Sequence, residues 1–324
     1  MSIRPEFDDD EDDEDDDSPE VSTSVFMAYL QLLRLSNVFT AMADVLLGFL
    51  VVERGFLQFD RLALLLGSSS LLYLAGMVLN DVFDRETDAA ERPERPIPAG
   101  RISAETAAML GTVLLAGGTA LGWAASYTIG ELRPGIVATV LAVAVLAYDR
   151  VLKRTPLGPL AMGTCRALNV LLGMSANDTG WQTIHFVIAG GIGLYVVGLT
   201  WFARTEAKQS DRLQLRLALG VMLAALAMLS QLPVWKDQLE PPVVFPQFWY
   251  FFWGLIAIGV GTRCMLAIST PTPELVQIAV SNGILALIVI DAASSTPFTE
   301  TAAAAVILLL MIPARVLGRW IYST

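Results

Sequence analysis

The sequence predicts an all-α fold, a polytopic membrane bundle of nine to ten transmembrane helices around a central cavity. First, 54% of the 324 residues are hydrophobic, and the mean hydropathy is +0.57. Second, apolar runs close to the roughly 20 residues that cross a bilayer recur along nearly the whole chain. Third, a few charged and amide side chains lie inside these runs, which is costly in lipid unless they face a cavity.

The first 22 residues differ from the rest. Residues 8–17 form an unbroken acidic block, which cannot bury apolar surface. We expect residues 1–22 to be a disordered acidic tail, with solubility, ion interaction or partner contact as its role, and residues 23–324 to form the transmembrane domain. The start of the chain lacks the basic and apolar regions of a signal peptide. A net charge of −11 makes nucleic acid an implausible partner.

Ten apolar segments follow the tail. They cover residues 26–52, 62–79, 104–128, 134–148, 157–174, 184–202, 213–232, 243–268, 274–290 and 301–322. Gly118 and Gly122, four residues apart in the third segment, indicate close helix packing. Cys165 and Cys264 lie inside apolar segments, so the sequence indicates neither a disulfide framework nor a thiolate metal site.

The first segment carries three polar side chains, Arg34, Asn37 and Asp44. Asn37 and Asp44 are seven residues apart and therefore share a helix face. Arg34 either faces the cavity or extends to the membrane interface.

The fifth segment contains Arg166 and Asn169, which we expect to face the bundle interior. Arg166 has no charge partner nearby in sequence. A cavity anion such as diphosphate, or a buried aspartate such as Asp44 or Asp291, is the expected partner.

The most polar stretch of the transmembrane domain, residues 79–101, directly follows the second segment. If the helix continues into it, Asp81, Asp84 and Asp88 fall at i, i+3 and i+7 and share one face, with Asn80 one turn before Asp84. A hard divalent cation offsets the repulsion between such carboxylates, and Mg²⁺ is typically held by one or two carboxylates together with substrate phosphates. The stretch predicts a magnesium–diphosphate site.

Arg92, Arg95 and Arg101 follow on a Pro-rich loop. Arginine suits bidentate contact with phosphate oxygens. The alternative is that the whole stretch is a solvated charged cap on a membrane helix.

This stretch resembles the first aspartate-rich motif of the UbiA superfamily of intramembrane prenyltransferases, on the residues Asn80-Asp81-x-x-Asp84-x-x-x-Asp88 and Arg92-Pro-x-Arg95-Pro-Ile-x-x-Gly100. The resemblance implies a prenyl diphosphate substrate and a Mg²⁺ cofactor. It also implies roles for individual residues, namely metal binding by Asp81, Asp84 and Asp88, catalysis by Asp84 and Asp88, and substrate contacts from Asn37, Asn80, Arg92 and Arg95. Members typically have nine helices, so one of the last two segments is expected to be re-entrant or additional.

A second charged loop, Tyr148-Asp149-Arg150-Val-Leu-Lys153-Arg154-Thr155-Pro156-Leu-Gly158, follows the fourth segment. It is similar to the Tyr…Lys-Arg…Gly element between the fourth and fifth helices of superfamily members. The resemblance implies that Tyr148, Lys153 and Arg154 contact diphosphate or orient the acceptor. Cations in this loop also satisfy the positive-inside rule without any catalytic role.

A third charged loop, residues 200–212, stands where superfamily members carry a second aspartate-rich motif, and it departs from that pattern. Glu206 and Asp211 are five residues apart, about 140° around a helix, so they cannot both face one ion unless the helix breaks. Glu206 alone supplies at most one ligand. Arg204 or Lys208 can replace a cation electrostatically, and Arg204 and Glu206 are substrate-binding candidates.

Lysine and arginine are concentrated in the loops after the second, fourth and sixth segments. The positive-inside rule therefore predicts that these loops and the N-terminus are cytoplasmic. We expect an integral protein of a bacterial-type inner membrane, with all three charged loops on one face.

The first functional hypothesis is Mg-dependent transfer of a prenyl group from a prenyl diphosphate to an unidentified aromatic or lipid acceptor. The second is isoprenoid or lipid-precursor binding or transport without turnover, which the altered third loop favours. A CDP-alcohol phosphotransferase is disfavoured because the Asp-Gly…Ala-Arg opening of that family is absent. Within the superfamily, residues 148–169 and 200–207 resemble the divergent UbiA-like proteins of the Ebo operon type.

Overall fold

The computed structural model describes residues 25–204, 211–235 and 246–322. Within these ranges the regular structure is entirely helical, which confirms the all-α class. The helices are α1 Val25–Leu33, α2 Val38–Glu53, α3 Phe59–Glu91, α4 Ala104–Ile129, α5 Arg133–Arg150, α6 Gly158–Gly173, α7 Thr183–Ala203, α8 Arg212–Ser230, α9 Leu232–Trp235, α10 Pro246–Ser269, α11 Pro273–Ser295, α12 Thr301–Leu309 and α13 Met311–Tyr322. The acidic tail, residues 1–22, lies outside the described residues.

Eight helical spans in the described part of the chain are long and apolar enough to cross a membrane. The fourth and fifth predicted segments form the shorter helices α5, with 18 residues, and α6, with 16 residues. Sixteen residues rise only about 24 Å, less than the roughly 30 Å hydrocarbon layer. All ten predicted segments contain helix, and the chain is a polytopic helical membrane protein.

The first predicted segment is not one continuous helix. Arg34 adopts left-handed backbone angles, φ 45° and ψ 48°, and a 3₁₀ turn, Leu35–Asn37, follows before α2 begins. A left-handed residue ends an α-helix, and for a non-glycine residue this conformation costs of order 1–3 kcal/mol. The Arg34 side chain forms an ion pair with Asp81 at 2.8 Å, a long-range contact that sequence periodicity does not reveal.

Two features of the C-terminal part add to the sequence prediction. The last segment is divided at Leu310 into α12 and α13. Pro313 stands in the first turn of α13, where its missing N–H is tolerated, whereas a continuous helix would bring its ring against the carbonyl of residue 309. Asp291 lies one turn before the end of α11 at Ser295 and is fully buried, as expected of a candidate partner for Arg166.

Close glycine contacts set the spacing between helices. A Cβ atom on Gly48 of α2 would lie 2.7 Å from the Met174 backbone nitrogen, and one on Gly173 of α6 would lie 2.9 Å from Val45 Cα. The two backbones therefore touch, and the polar residues that precede these glycines face each other. In α4, a Cβ atom on Gly118 would lie 2.8 Å from Leu72 Cγ, which confirms the close packing predicted for that helix.

Candidate functional site

The helix of the aspartate motif continues as the sequence predicts. α3 runs through Asp81, Asp84 and Asp88 to Glu91. Asp81 and Asp88 are buried, while the Asp84 side chain is 23% exposed. The three carboxylates therefore project from the end of one long helix, and the middle one, Asp84, is the most accessible to solvent.

Asp81 and Asp88 are bound by arginines from two directions. Arg34 Nη2 donates to Asp81 Oδ1 at 2.8 Å from the break between α1 and α2. Arg95, on the Pro-rich turn after α3, donates to Asp88 Oδ2 at 2.6 Å and lies 3.5 Å from Asp81 Oδ1. The turn thus folds back onto its own helix and supplies positive charge to the buried end of the motif.

Asp84 is bound by the second charged loop. Lys153 and Arg154 lie on a 3₁₀ turn, Leu152–Arg154. Lys153 Nζ donates to Asp84 Oδ2 at 2.7 Å and to Asn80 Oδ1 at 2.8 Å. Arg154 Nη2 donates to Asp84 Oδ1 at 3.1 Å. The structure therefore brings together two loops about 70 residues apart, as their charges predict.

The third charged loop adjoins the second. Arg204, at the end of α7, donates to the Thr155 carbonyl at 2.8 Å. Glu206 and Lys208 lie outside the described residues. Asp211 caps α8, because its carboxylate accepts a hydrogen bond from the Leu213 N–H at 3.1 Å. This carboxylate therefore binds its own helix.

Two loop arginines have no ion pair within the described ranges. Arg101 donates to the Glu94 carbonyl at 2.8 Å. Arg92 is half-buried just beyond α3, and its guanidinium makes no hydrogen bond to another described residue.

A cavity of about 340 Å³ lies inside the bundle. Its wall is built from α2, α3, α5, α6, α7, α11 and the turn before α2. Most of the lining is apolar, and the polar lining groups, including two aromatic phenols, are Arg34, Asn37, Ser69, Tyr73, Tyr148, Asp149, Arg166, Asn169 and Thr200. Arg34 connects this cavity to the charged cluster, because it lines the cavity and binds Asp81. We call the cluster of Asp81, Asp84, Asp88, Arg95, Lys153 and Arg154 the charged mouth.

A polar network lies in the cavity wall. Arg166 Nη1 donates to Asp44 Oδ2 at 2.9 Å, and Nη2 donates to Thr40 at 2.8 Å. Asn169 donates to the same Asp44 oxygen at 3.0 Å and accepts from Ser69 at 2.7 Å. The interior position of Arg166 and its pairing with a buried aspartate confirm the sequence prediction. Buried charges require such pairing.

Sequence reasoning did not identify Asp149 as a site residue. It directly follows the fourth segment, next to Tyr148, and its charge makes it resemble part of the solvated loop. In the structure it is 3% exposed and lines the cavity. The sequence did contain a signal for this position. Asp149 lies four residues after Val145 and therefore on the same face of α5, and Val145 also lines the cavity.

The donor chemistry of the charged mouth fits a hard cation, since carboxylate oxygens are ligands that Mg²⁺ prefers. Asp81 Oδ1 and Asp88 Oδ2 converge on one point, because Arg95 Nη1 lies 3.5 Å from the first and 2.6 Å from the second. The described residues contain no group of three or more His, Cys, Asp or Glu arranged for a metal. Instead, cations bind each motif aspartate, and the metal-ligand roles of Asp81, Asp84 and Asp88 remain predictions.

By its architecture and its site, the chain is a helical membrane protein with a largely apolar cavity beneath a mouth of paired acids and bases. The family model of the UbiA prenyltransferase family matches residues 41–271. The chain belongs to the UbiA prenyltransferase family.

Curated relatives include several archaeal digeranylgeranylglyceryl phosphate synthases. That of Saccharolobus solfataricus is 34% identical over 147 residues, 45% of this chain and 50% of the relative. That of Ignicoccus hospitalis is 37% identical over 152 residues, 46% of this chain and 47% of the relative. The chain spans about half the length of the curated relatives it matches.

Solved structures share the fold. A digeranylgeranylglyceryl phosphate synthase structure has a TM-score of 0.62 at 20% identity, covering 85% of this chain and 99% of the other. A UbiA homologue from Archaeoglobus fulgidus bound to DMAPP and Mg²⁺ has a TM-score of 0.55 at 16% identity, covering 80% and 98%. At these identities the similarity concerns the fold alone.

Proposed function

We propose that this protein is a Mg²⁺-dependent intramembrane prenyltransferase that moves a prenyl group from a prenyl diphosphate to a lipid acceptor. The observation that carries the proposal is the charged mouth joined through Arg34 to a largely apolar cavity. A prenyl diphosphate has matching parts, a polyanionic head and an apolar tail. The names of the curated relatives favour a lipid over an aromatic acceptor.

In this proposal the cations of the mouth bind the diphosphate. Arg95, Lys153 and Arg154 are held near the same point by the motif aspartates, and they exchange part of those contacts for phosphate oxygens. Asp81, Asp84 and Asp88 would hold Mg²⁺, which would neutralise the charge on the departing diphosphate. Asn80, Arg92, Arg204 and Glu206 are proposed to complete the headgroup contacts.

The cavity holds the prenyl chain and excludes water. In the transfer, the bond between the prenyl carbon and the diphosphate oxygen breaks, and the electron pair leaves with diphosphate. A bond from the acceptor nucleophile to that carbon forms, and the acceptor loses a proton. Tyr148 and Asn37 line the cavity and are proposed to orient the reacting groups, while Arg166 and Asn169 fix its wall.

We further propose a cytoplasmic N-terminus and charged mouth, in a bacterial-type inner membrane, with residues 1–22 as a disordered tail. The excess of lysine and arginine in the loops after α3, α5 and α7 supports this orientation. The Ebo-type branch remains a proposal based on residues 148–169 and 200–207.

One observation favours a second candidate, a prenyl-lipid binder without turnover. Every motif aspartate already has a cationic partner at 3.1 Å or less. If these ion pairs persist when substrate is bound, the aspartates are unavailable to a metal, and the site binds diphosphate by its cations alone.

The two candidates are separated by supplying the purified chain with labelled geranylgeranyl diphosphate, Mg²⁺ and a membrane extract. The prenyltransferase releases pyrophosphate and labels a lipid, and Asp84→Asn reduces both by about 10²-fold or more, as expected for loss of one charge-stabilising group. Glu86→Gln is the matched control, because Glu86 is an exposed acid on α3 near Asp84. Binding of the labelled compound with no pyrophosphate release in the wild type indicates the binder.

A further inference from the structure

Asp149 is a buried acid with an unsatisfied oxygen. It is 3% exposed at the end of α5, and it lines the cavity. Its Oδ2 atom is buried and has no hydrogen-bond partner in the described part of the chain. Leaving a buried acceptor unpaired costs about 1–3 kcal/mol, so such an atom calls for an explanation, and a donor on a bound ligand is one.

The motif aspartates bind arginine and lysine, and Asp44 binds Arg166. Asp44 Oδ1 and both carboxylate oxygens of Asp291 also lack a hydrogen-bond partner in the described part of the chain, but neither residue lines the cavity. Among the described residues that line the cavity, Asp149 is the only carboxylate. It is therefore the acid in this part of the molecule that combines access to the cavity with an unoccupied hydrogen-bond acceptor.

The surroundings of Asp149 leave room for a small polar group. Gly76 of α3 faces it, and a Cβ atom at Gly76 would lie 3.8 Å from Asp149 Oδ2. Tyr148, the preceding residue, also lines the cavity, and Lys153 of the charged mouth follows four residues later. Asp149 thus lies between the place for the diphosphate and the apolar space for the chain, where the reacting carbon must be.

We propose that Asp149 is a catalytic residue that binds the hydroxyl group of an alcohol acceptor and takes its proton during prenyl transfer. The acceptor oxygen forms a bond to the first prenyl carbon as the bond from that carbon to the diphosphate oxygen breaks. The electron pair of the broken bond leaves with diphosphate, and the hydroxyl proton moves to the Asp149 carboxylate. The acceptor class is therefore an alcohol. This inference rests on the proposed prenyltransferase function.

A structural role for Asp149 has different consequences. If the carboxylate only balances the nearby charges of Lys153 and Arg34, neutralising it disturbs diphosphate binding. If it takes the proton, neutralisation leaves binding intact and slows transfer, because general base catalysis contributes about 10²–10⁴-fold. When no acceptor is bound, water that enters from the charged mouth can still capture the prenyl group, so hydrolysis to the prenyl alcohol persists.

The test uses the full chain, geranylgeranyl diphosphate and Mg²⁺, with geranylgeranylglyceryl phosphate as the alcohol probe. We measure binding of the diphosphate, transfer to the probe, and hydrolysis without the probe. Each is measured for the wild type, for Asp149→Asn and for the control Asp60→Asn, which removes an exposed acid from the first turn of α3. For Asp149→Asn we expect binding within about twofold of wild type and a transfer-to-hydrolysis ratio lower by about 10²-fold or more.

The ratio of transfer to hydrolysis stays informative if Asp149→Asn is less stable, because the same folded molecules form both products. An unchanged ratio, or loss of binding in parallel with transfer, overturns the role of Asp149 and leaves the proposed function standing. A wild type that binds the diphosphate without releasing pyrophosphate overturns the proposed function, and the role of Asp149 with it.

Discussion

At the scale of single residues, the cavity wall depends on one buried ion pair. The Arg166 side chain is 12% exposed and that of Asp44 is fully buried, and the guanidinium also stacks over Tyr73 at 5.6 Å from the ring centroid. Removing one partner of a buried pair leaves an uncompensated charge, whereas removing both does not. The pair therefore sets the stability of the bundle as well as the shape of the cavity.

We expect Arg166→Met to destabilise the protein by about 3–5 kcal/mol, because Asp44 would lose its cationic partner in a fully buried site. The double variant Asp44→Asn with Arg166→Met is expected to recover part of this loss. The stability of both variants is measured by unfolding them in detergent and monitoring the loss of the helical circular dichroism signal. Arg263→Met is the control, since Arg263 is exposed on α10; a loss of equal size there would contradict the ion-pair explanation.

At the scale of helices, the contact between α2 and α6 aligns the network. Gly48 and Gly173 allow the two backbones to touch, and Asp44 and Asn169 each lie one turn before their glycine. A larger residue at either glycine separates the helices and therefore the hydrogen-bond partners, whose contacts at about 3 Å tolerate little displacement.

Gly173→Ala tests this contact. We expect a destabilisation of about 1–3 kcal/mol from overpacking. The matched control is Gly220→Ala on α8, where an added Cβ atom meets nothing within 4 Å. There the substitution is expected to be neutral or to stabilise by up to about 1 kcal/mol through helix propensity. Equal melting temperatures for the two variants would show that α2 and α6 can separate without cost.

At the scale of the whole molecule, the two ends of the bundle differ in how they use charge. At the charged mouth, cations bind carboxylates. At the opposite end, Arg133 donates to the Asn177 carbonyl at 2.8 Å and Arg61 to the Ala176 carbonyl at 3.2 Å. The cations at this end mainly bind backbone carbonyls, and Arg133 also forms a longer ion pair with Glu131, at 3.8 Å. The dense clustering of opposite charges therefore belongs to the mouth.

The excess of lysine and arginine in the loops on the side of the charged mouth predicts the orientation in the membrane. With Thr87→Cys at the mouth and Asp178→Cys at the opposite end, a membrane-impermeant thiol reagent added to intact cells is expected to label only Asp178→Cys. Both positions are exposed, and the native Cys165 and Cys264 are buried. Labelling of Thr87→Cys should appear after the membrane is opened. The reverse pattern would contradict a cytoplasmic mouth.

The sequence alone determined the local features. Apolar runs fixed ten helical segments, and helical periodicity placed Asp81, Asp84 and Asp88 on one face of α3, because both depend only on residues near one another in the chain. The charged loops also indicated a shared polar site. Ionisable residues at a membrane border often mark a functional site, which is why these loops drew attention to the charged mouth.

Only the tertiary structure decided the partners. Arg34 binds Asp81 across 47 residues, Lys153 binds Asp84 across 69, and Arg166 binds Asp44 across 122. The break at Arg34 and the inward position of Asp149 depend on the same packing. Periodicity carries no information about contacts between distant helices, because these follow from how the helices close around the cavity and which charges must then be neutralised together.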